Sequence, residues 1–85
     1  MIVIHIDIYV PALDESFEFR CDEEAPVSDV CRDISDYLMY RSGAREPSRE
    51  VDGFWLCDIR GRQVLSADRS LKEQRVIQGS RMIYL

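Results

Sequence analysis

Between Pro26 and Gly43 the chain carries its one stretch of helical periodicity, PVSDVCRDISDYLMYRSG. Val27, Val30, Ile34 and Leu38 recur at three- and four-residue steps, and Cys31 and Tyr37 widen that stripe. Asp29, Asp33 and Asp36 fall on the opposite side. A helix that is apolar along one face needs a partner, and the flanking stretches all read as strands. One helix laid over one sheet is the arrangement that buries such a stripe. Pro26 suits a first-turn position and Ser28 is the alternative cap; both starts stay open. Gly43 is a natural stop, with Arg41 in the last turn.

The strands follow from period two. Ile2, Ile4, Ile6, Ile8 and Val10 alternate with Val3, His5, Asp7 and Tyr9, which predicts a half-buried strand ended by Pro11. Phe17, Phe19 and Cys21 alternate with Glu18, Arg20 and Asp22 and predict a second strand. The short polar link between them makes a hairpin. After the helix, residues 44–52 (AREPSREVD) read as a polar loop. Phe54 to Ile59 predict a third strand, with Trp55, Cys57 and Ile59 inward and Phe54 and Leu56 outward. A slip of one residue reverses that assignment. Arg60-Gly61-Arg62 is a tight turn, Gln63 to Leu65 a short fourth strand, and Leu71 an apolar anchor in a loop. Arg81 to Leu85 close the chain as a last strand, whose Met82/Tyr84 and Ile83/Leu85 compete for the buried face. The expected class is α+β: a mixed sheet of four to five strands packed on one helix, in the order β-β-α-β-β-β, forming a single domain over residues 1–85.

Charge narrows the partners. Residues 1–40 hold ten acids and two bases, a balance of −8, whereas residues 41–85 hold nine bases and six acids, a balance of +3. The overall charge of −5 disfavours nucleic acid, which the first half would repel. A two-signed surface suits protein partners, or weak self-association by head-to-tail contact. No apolar run reaches the ~20 residues of a membrane span, so direct membrane insertion is not expected. The opening MIVIHIDIYV has no basic leader, so no secretory signal is expected there. Three cysteines at unpatterned spacing fit a reducing cytoplasm, though a Cys21–Cys31 bridge stays open.

Catalytic signals are sparse. His5 is the only histidine and sits on the outward side of the first strand. Cys21, Cys31 and Cys57 show neither a C-x-x-C pair nor a histidine at metal spacing, and read as small apolar residues. Asp29, Asp33 and Asp36 form an acidic helix stripe, which a solvated face explains without a metal. No phosphate-binding glycine motif is present. No enzyme activity, cofactor or metal is expected.

The chain resembles the ubiquitin superfamily over nearly its full length. The carriers are the IVIHIDIYV/SFEFRCD hairpin, the helix spacing of Val27, Val30 and Ile34, the R-G-R-Q-V-L stretch, and the ending S-L-K-E-Q-R-V-I-Q-G-S-R-M-I-Y-L. That resemblance implies a ubiquitin-like β-grasp, a twisted sheet holding the helix. Within the superfamily the chain is most similar to the YukD/EsaB ubiquitin-like proteins of bacterial type VII secretion systems. Its length, Gly53 to Leu56 (G-F-W-L) and the S-L-K-E-Q…G-S-R-M-I-Y-L ending carry that similarity. The resemblance implies a cytoplasmic accessory or regulatory component, peripheral to a membrane machine that exports small helical WXG-type substrates. Its implied partner is a membrane or ATPase component of that machine.

Conjugating members of the superfamily and sulfur carriers need a flexible tail ending Gly-Gly. Here the sequence stops at Leu85, inside the expected last strand, so neither activity is expected. Lys72 is the sole lysine. Ubiquitin-like domains commonly offer the outer sheet face to partners, and Phe54 to Asp58 occupy the matching third strand. Asp58 stands where an apolar outward residue is expected, which speaks against recognition by ubiquitin receptors. The expected partner-binding residues are Phe54 and Leu56, rimmed by Arg60, Arg62 and Arg81. The alternative function is a charge-paired ubiquitin-like scaffold assembling head to tail through the two oppositely charged halves.

Overall fold

The computed structural model describes residues 1–42 and 55–85. Two long strands come first, β1 (Val3–Val10) and β2 (Glu15–Asp22), followed by the helix α1 (Val27–Ser42). Three short strands follow: β3 (Leu56–Asp58), β4 (Gln63–Val64) and β5 (Arg81–Tyr84). They form one mixed five-stranded sheet in the order β2-β1-β5-β3-β4. β1 runs antiparallel to β2 and parallel to β5, and β3 is antiparallel to both β5 and β4. This is the expected ubiquitin-like β-grasp.

The alternation of β1 is realised as read: Ile4, Ile6, Ile8 and Val10 are buried. Each fully buried side chain of this size contributes about 1.5–3 kcal/mol. Ile2 is the exception to that series; it precedes the strand and is exposed. Val27, Val30 and Ile34 of α1 close the same core, with Cys31 and Leu38 packed against it. Tyr37 lies further round the helix and is partly exposed, leaning on Phe17 at 5.1 Å between ring centroids. All three cysteines are free thiols, so Cys21 and Cys31 are not bridged.

The helix starts by the Pro26 alternative, whose carbonyl accepts from the Asp29 and Val30 N–H at 2.9 and 3.3 Å, and Ser28 is not the cap. The first amides of α1 are not capped by a side chain. Val27 N–H donates to Arg69 O and Ser28 N–H to Ala67 O, each at 2.9 Å. The loop after β4 thus supplies the acceptors that a helix start otherwise lacks. That loop is itself held from inside. The Gln74 amide Nε2 donates to Ser66 O at 3.0 Å, and its Oε1 accepts from Ser66 N–H at 2.7 Å. Leu71, the expected anchor, is fully buried, as is Val76. Ser70 and Glu73 cap one another reciprocally, backbone amide to side chain at 3.0 Å in both directions.

The third strand departs from the sequence reading. Leu56 is only 1% exposed and Asp58 is buried, whereas Trp55 and Ile59 are 54% and 46% exposed. The expected facing of Trp55, Cys57 and Ile59 inward and Leu56 outward is therefore reversed. The cause is pairing: Leu56 lies opposite Tyr84 and Asp58 opposite Met82, and those two residues of β5 face the helix. The same pairing settles the last strand in favour of Met82 and Tyr84. The Tyr84 hydroxyl hydrogen-bonds Ser35 Oγ and donates to Cys31 O at 3.3 Å, fastening β5 to α1. Gly43, the loop 44–52 and Phe54 lie outside the described residues.

Candidate functional site

The ladder registers place one residue from each strand in a line across the outer sheet face. Ser16 is opposite Tyr9, Tyr9 opposite Ile83, Ile83 opposite Cys57, and Cys57 opposite Val64. Each faces away from the helix, because its strand neighbours on the other side are the core residues. On one flank of this row Trp55 pairs with Leu85 through two backbone hydrogen bonds, at 3.1 and 2.9 Å. On the other flank Ile59 N–H donates to Arg81 O at 3.1 Å. Trp55, Ile59, Val64 and Leu85 are exposed, and Cys57 and Ile83 are half-buried between them. An uncovered apolar surface of this kind, made from contiguous strands, marks an interaction site more often than scattered single residues do.

Cations rim the surface. Arg60 and Arg62 sit on the turn from β3 to β4, and Arg81 starts β5; all three are exposed. The turn is tight. Arg62 adopts a left-handed φ of 53° and its N–H donates to Ile59 O at 3.3 Å. Gly61 lies against the buried Asp58 carboxylate, so a Cβ there would come within 2.9 Å of Oδ2. Asp58 Oδ1 has no hydrogen-bond partner among the described residues. Beside this turn runs a groove of about 330 Å³, lined by Ile59, Arg60, Ile77 and Arg81 together with the turn at Gly79. That second turn is fixed by Gly79 N–H donating to His5 O at 2.7 Å, with a φ of 82° at Gly79.

Of the expected binding residues, Arg60, Arg62 and Arg81 are brought to one side of the outer face. Leu56 is removed from it: its side chain is core, and it cannot meet a partner without unfolding β3. Phe54 lies outside the described residues. Sequence reading missed Trp55, Ile59, Val64 and Ile83, the residues that form the surface. One signal for them existed. Met82 and Tyr84 as the inward pair of β5 would have fixed β3 by its antiparallel register.

Of the groups with nucleophilic or acid–base chemistry, Tyr9, Cys57 and His5 share this outer face, whereas Cys21 and Cys31 pack against the core. Burial pushes the Cys21 and Cys31 thiols up to about 11, so both are protonated at neutral pH. The Tyr9 hydroxyl donates to Asp14 Oδ1 at 2.9 Å, a bond that raises the phenol pKa. His5 sits on the outer face, its Nδ1 3.2 Å from Gln78 Nε2, while its N–H donates to Gln78 Oε1 at 2.9 Å. Asp29 pairs with Arg32 at 2.7 Å on the helix surface. Among the described residues no three of His, Cys, Asp or Glu converge to hold a metal ion.

The family model of the WXG100 protein secretion system protein YukD matches residues 3–83. The chain belongs to the YukD family. No curated protein matches it in sequence. Solved structures match the YukD-family fold throughout. The ubiquitin-like domain of the type VII secretion system protein EccD1 of Mycobacterium tuberculosis is 15% identical, with a TM-score of 0.73, 100% of this chain and 99% of that one being covered. A chain of the MycP5-free ESX-5 inner membrane complex is 22% identical with a TM-score of 0.74; the match covers 98% of this chain and 20% of that one. The ubiquitin-like domain of Plasmodium falciparum Dsk2 is 16% identical with a TM-score of 0.75, covering 98% and 96%. The fold is thus shared by secretion proteins and others alike, and it is the YukD family match that ties this chain to secretion.

Proposed function

We propose that this YukD-family chain is a non-catalytic docking module of a type VII secretion system, working in the cytoplasm at the periphery of the membrane machine. The observation that carries this reading is the arginine-rimmed apolar row across the outer sheet face, from Tyr9 through Ile83 and Cys57 to Val64, with Trp55 and Ile59 beside it. A hydrophobic centre with a cationic rim fits a protein segment whose apolar anchors are flanked by acids. The ESX-5 inner membrane complex contains a chain with a domain of this fold, which supports a membrane or ATPase component of the secretion machine as partner. Half-buried, protonated thiols and a histidine engaged with Gln78 support docking over catalysis. Among the described residues no helix is long and apolar enough to cross a membrane, so attachment to the machine is attributed to protein contacts.

The test is calorimetric titration of the purified chain with the cytoplasmic segments of the membrane and ATPase components of its own secretion system. One of them is expected to bind. Ile59→Asp should weaken that binding at least tenfold without changing the melting temperature, and Arg81→Glu should weaken it less and flatten its salt dependence. Unchanged affinity in Ile59→Asp removes the outer face from the proposal. Binding by none of the components removes the secretion partner.

A further inference from the structure

Among the described residues β2 is an edge of the sheet, and its backbone polarity can be read from one bond. Glu23 N–H donates to Ile2 O at 3.0 Å, which makes Ile2–Glu23 a hydrogen-bonded pair of the β1–β2 ladder. Such pairs alternate along an antiparallel ladder. Ile4–Cys21, Ile6–Phe19 and Ile8–Phe17 are therefore bonded pairs in the same register. The amides and carbonyls of Ser16, Glu18 and Arg20 then point away from the sheet. This edge spans eight residues in unbroken register, with no proline or bulge. Its protection is charge alone, Glu18 and Arg20 standing on the outer face of the edge.

We propose that β2 pairs antiparallel with β2 of a second copy, about a two-fold axis at Phe19. Charge selects this register among the alternatives. Ladder bonds require that even-numbered residues meet even-numbered ones. With the axis at Phe19, Glu18 of each copy meets Arg20 of the other, and Ser16 meets Asp22. Moving the axis to Glu18 sets Glu18 against its own copy. Moving it to Arg20 sets Arg20 against itself and Glu18 against Asp22. Axes further out lose overlap as the strands run past one another. Like charges directly opposite are destabilising, so one full-overlap register remains.

The helix-side face agrees with the outer one. Phe17, Phe19 and Cys21 are each only half-buried in a single copy, with Tyr37 leaning over both rings. About the Phe19 axis the two Phe19 rings meet, and Phe17 meets Cys21. At the ends Glu15 falls opposite Glu23 of the other copy, with Arg41 beside the two acids. Arg41 lies at the Phe17 end, paired with Glu15 at 2.7 Å, and Asp33 is close enough to Cys21 to act on its thiol. Antiparallel pairing brings the Arg41 end of one copy over the Asp33 end of the other. The assembly is isologous and leaves both outer faces free, side by side on one continuous sheet.

The experiment is sedimentation velocity of the full chain across micromolar to millimolar concentration, with thermal melts to confirm that each variant is folded. The wild-type chain should associate to a dimer and stop there. Glu18→Arg alone and Arg20→Glu alone should each weaken the dimer at least tenfold, because each places like charges opposite one another. An equimolar mixture of the two variants restores opposite signs at both 18–20 pairs, and should form a heterodimer of wild-type strength. A wild-type chain that stays monomeric to millimolar concentration overturns the proposal and leaves the edge to some other strand. So does a dimer that persists unchanged in both single variants, or a mixture that fails to associate.

Discussion

The β1–β2 hairpin and the β3–β4 arm lie at opposite ends of the same sheet, and they are specified in different ways. The hairpin has eight residues in each strand and eight cross-strand pairs. Its alternation is long enough for one register to put Ile4, Ile6, Ile8, Val10, Phe17 and Phe19 inward together, and any slip would expose the whole set. The arm has three strand residues and then two, with apolar residues on both of its faces. Slipping it by one residue exchanges Leu56 for Trp55 and Cys57, at little cost in hydrophobicity. The arm takes its facing from β5, and its loop from the hydrogen bonds of Gln74. Long periodic strands carry their own register, whereas short ones receive it from neighbours.

Substitutions break or sharpen this contrast. The largest effect is expected for Leu56→Asp, which puts an unpaired carboxylate into the core and should abolish cooperative melting, as Ile6→Asp should in the hairpin. The cost of several kcal/mol competes with a total stability of about 5–15 kcal/mol. A Leu56→Asp chain that melts like wild type would falsify the facing of β3. Next comes Gln74→Ala, expected to destabilise by about 1–3 kcal/mol in urea titrations, because Ser66 and the loop carbonyls lose a buried partner. No single polar side chain of the hairpin should match it.

A smaller effect belongs to Glu73. The Ser70 N–H holds its carboxyl below the usual carboxylate range. A lowered folded pKa contributes stability that is present above the unfolded value and lost as pH falls through the folded one. Glu73→Gln should therefore lower the melting temperature slightly at neutral pH, and the gap should close as the solution is acidified through the carboxylate range. A gap independent of pH would mean that the Ser70 contact depends on shape alone. The smallest effect on stability is expected for Ile59→Asp, within about 0.5 kcal/mol of wild type by urea titration, because that side chain already meets water. Paired with Leu56→Asp, it tests three residues apart whether the arm faces the way β5 dictates.

The sequence alone determined the order of elements, the hairpin, the helix with its Val27–Val30–Ile34 face and the anchor at Leu71. Each follows from a local period or from a single large apolar residue in a polar loop. It also placed Arg60, Arg62 and Arg81 near one another, since a tight turn and a strand start have few alternatives. The site itself was only partly legible. Leu56 and Asp58 against Trp55, Cys57 and Ile59 is a choice between two faces that both carry hydrophobes, and the acid at Asp58 argued for the wrong one. Tertiary pairing decided it, because Tyr84 and Met82 were already committed to the helix and a strand opposite them has to follow. The helix start was decided in the same way. Its amides are satisfied by Arg69 O and Ala67 O, carbonyls some forty residues away in sequence, and no local pattern can announce an acceptor that only folding brings near.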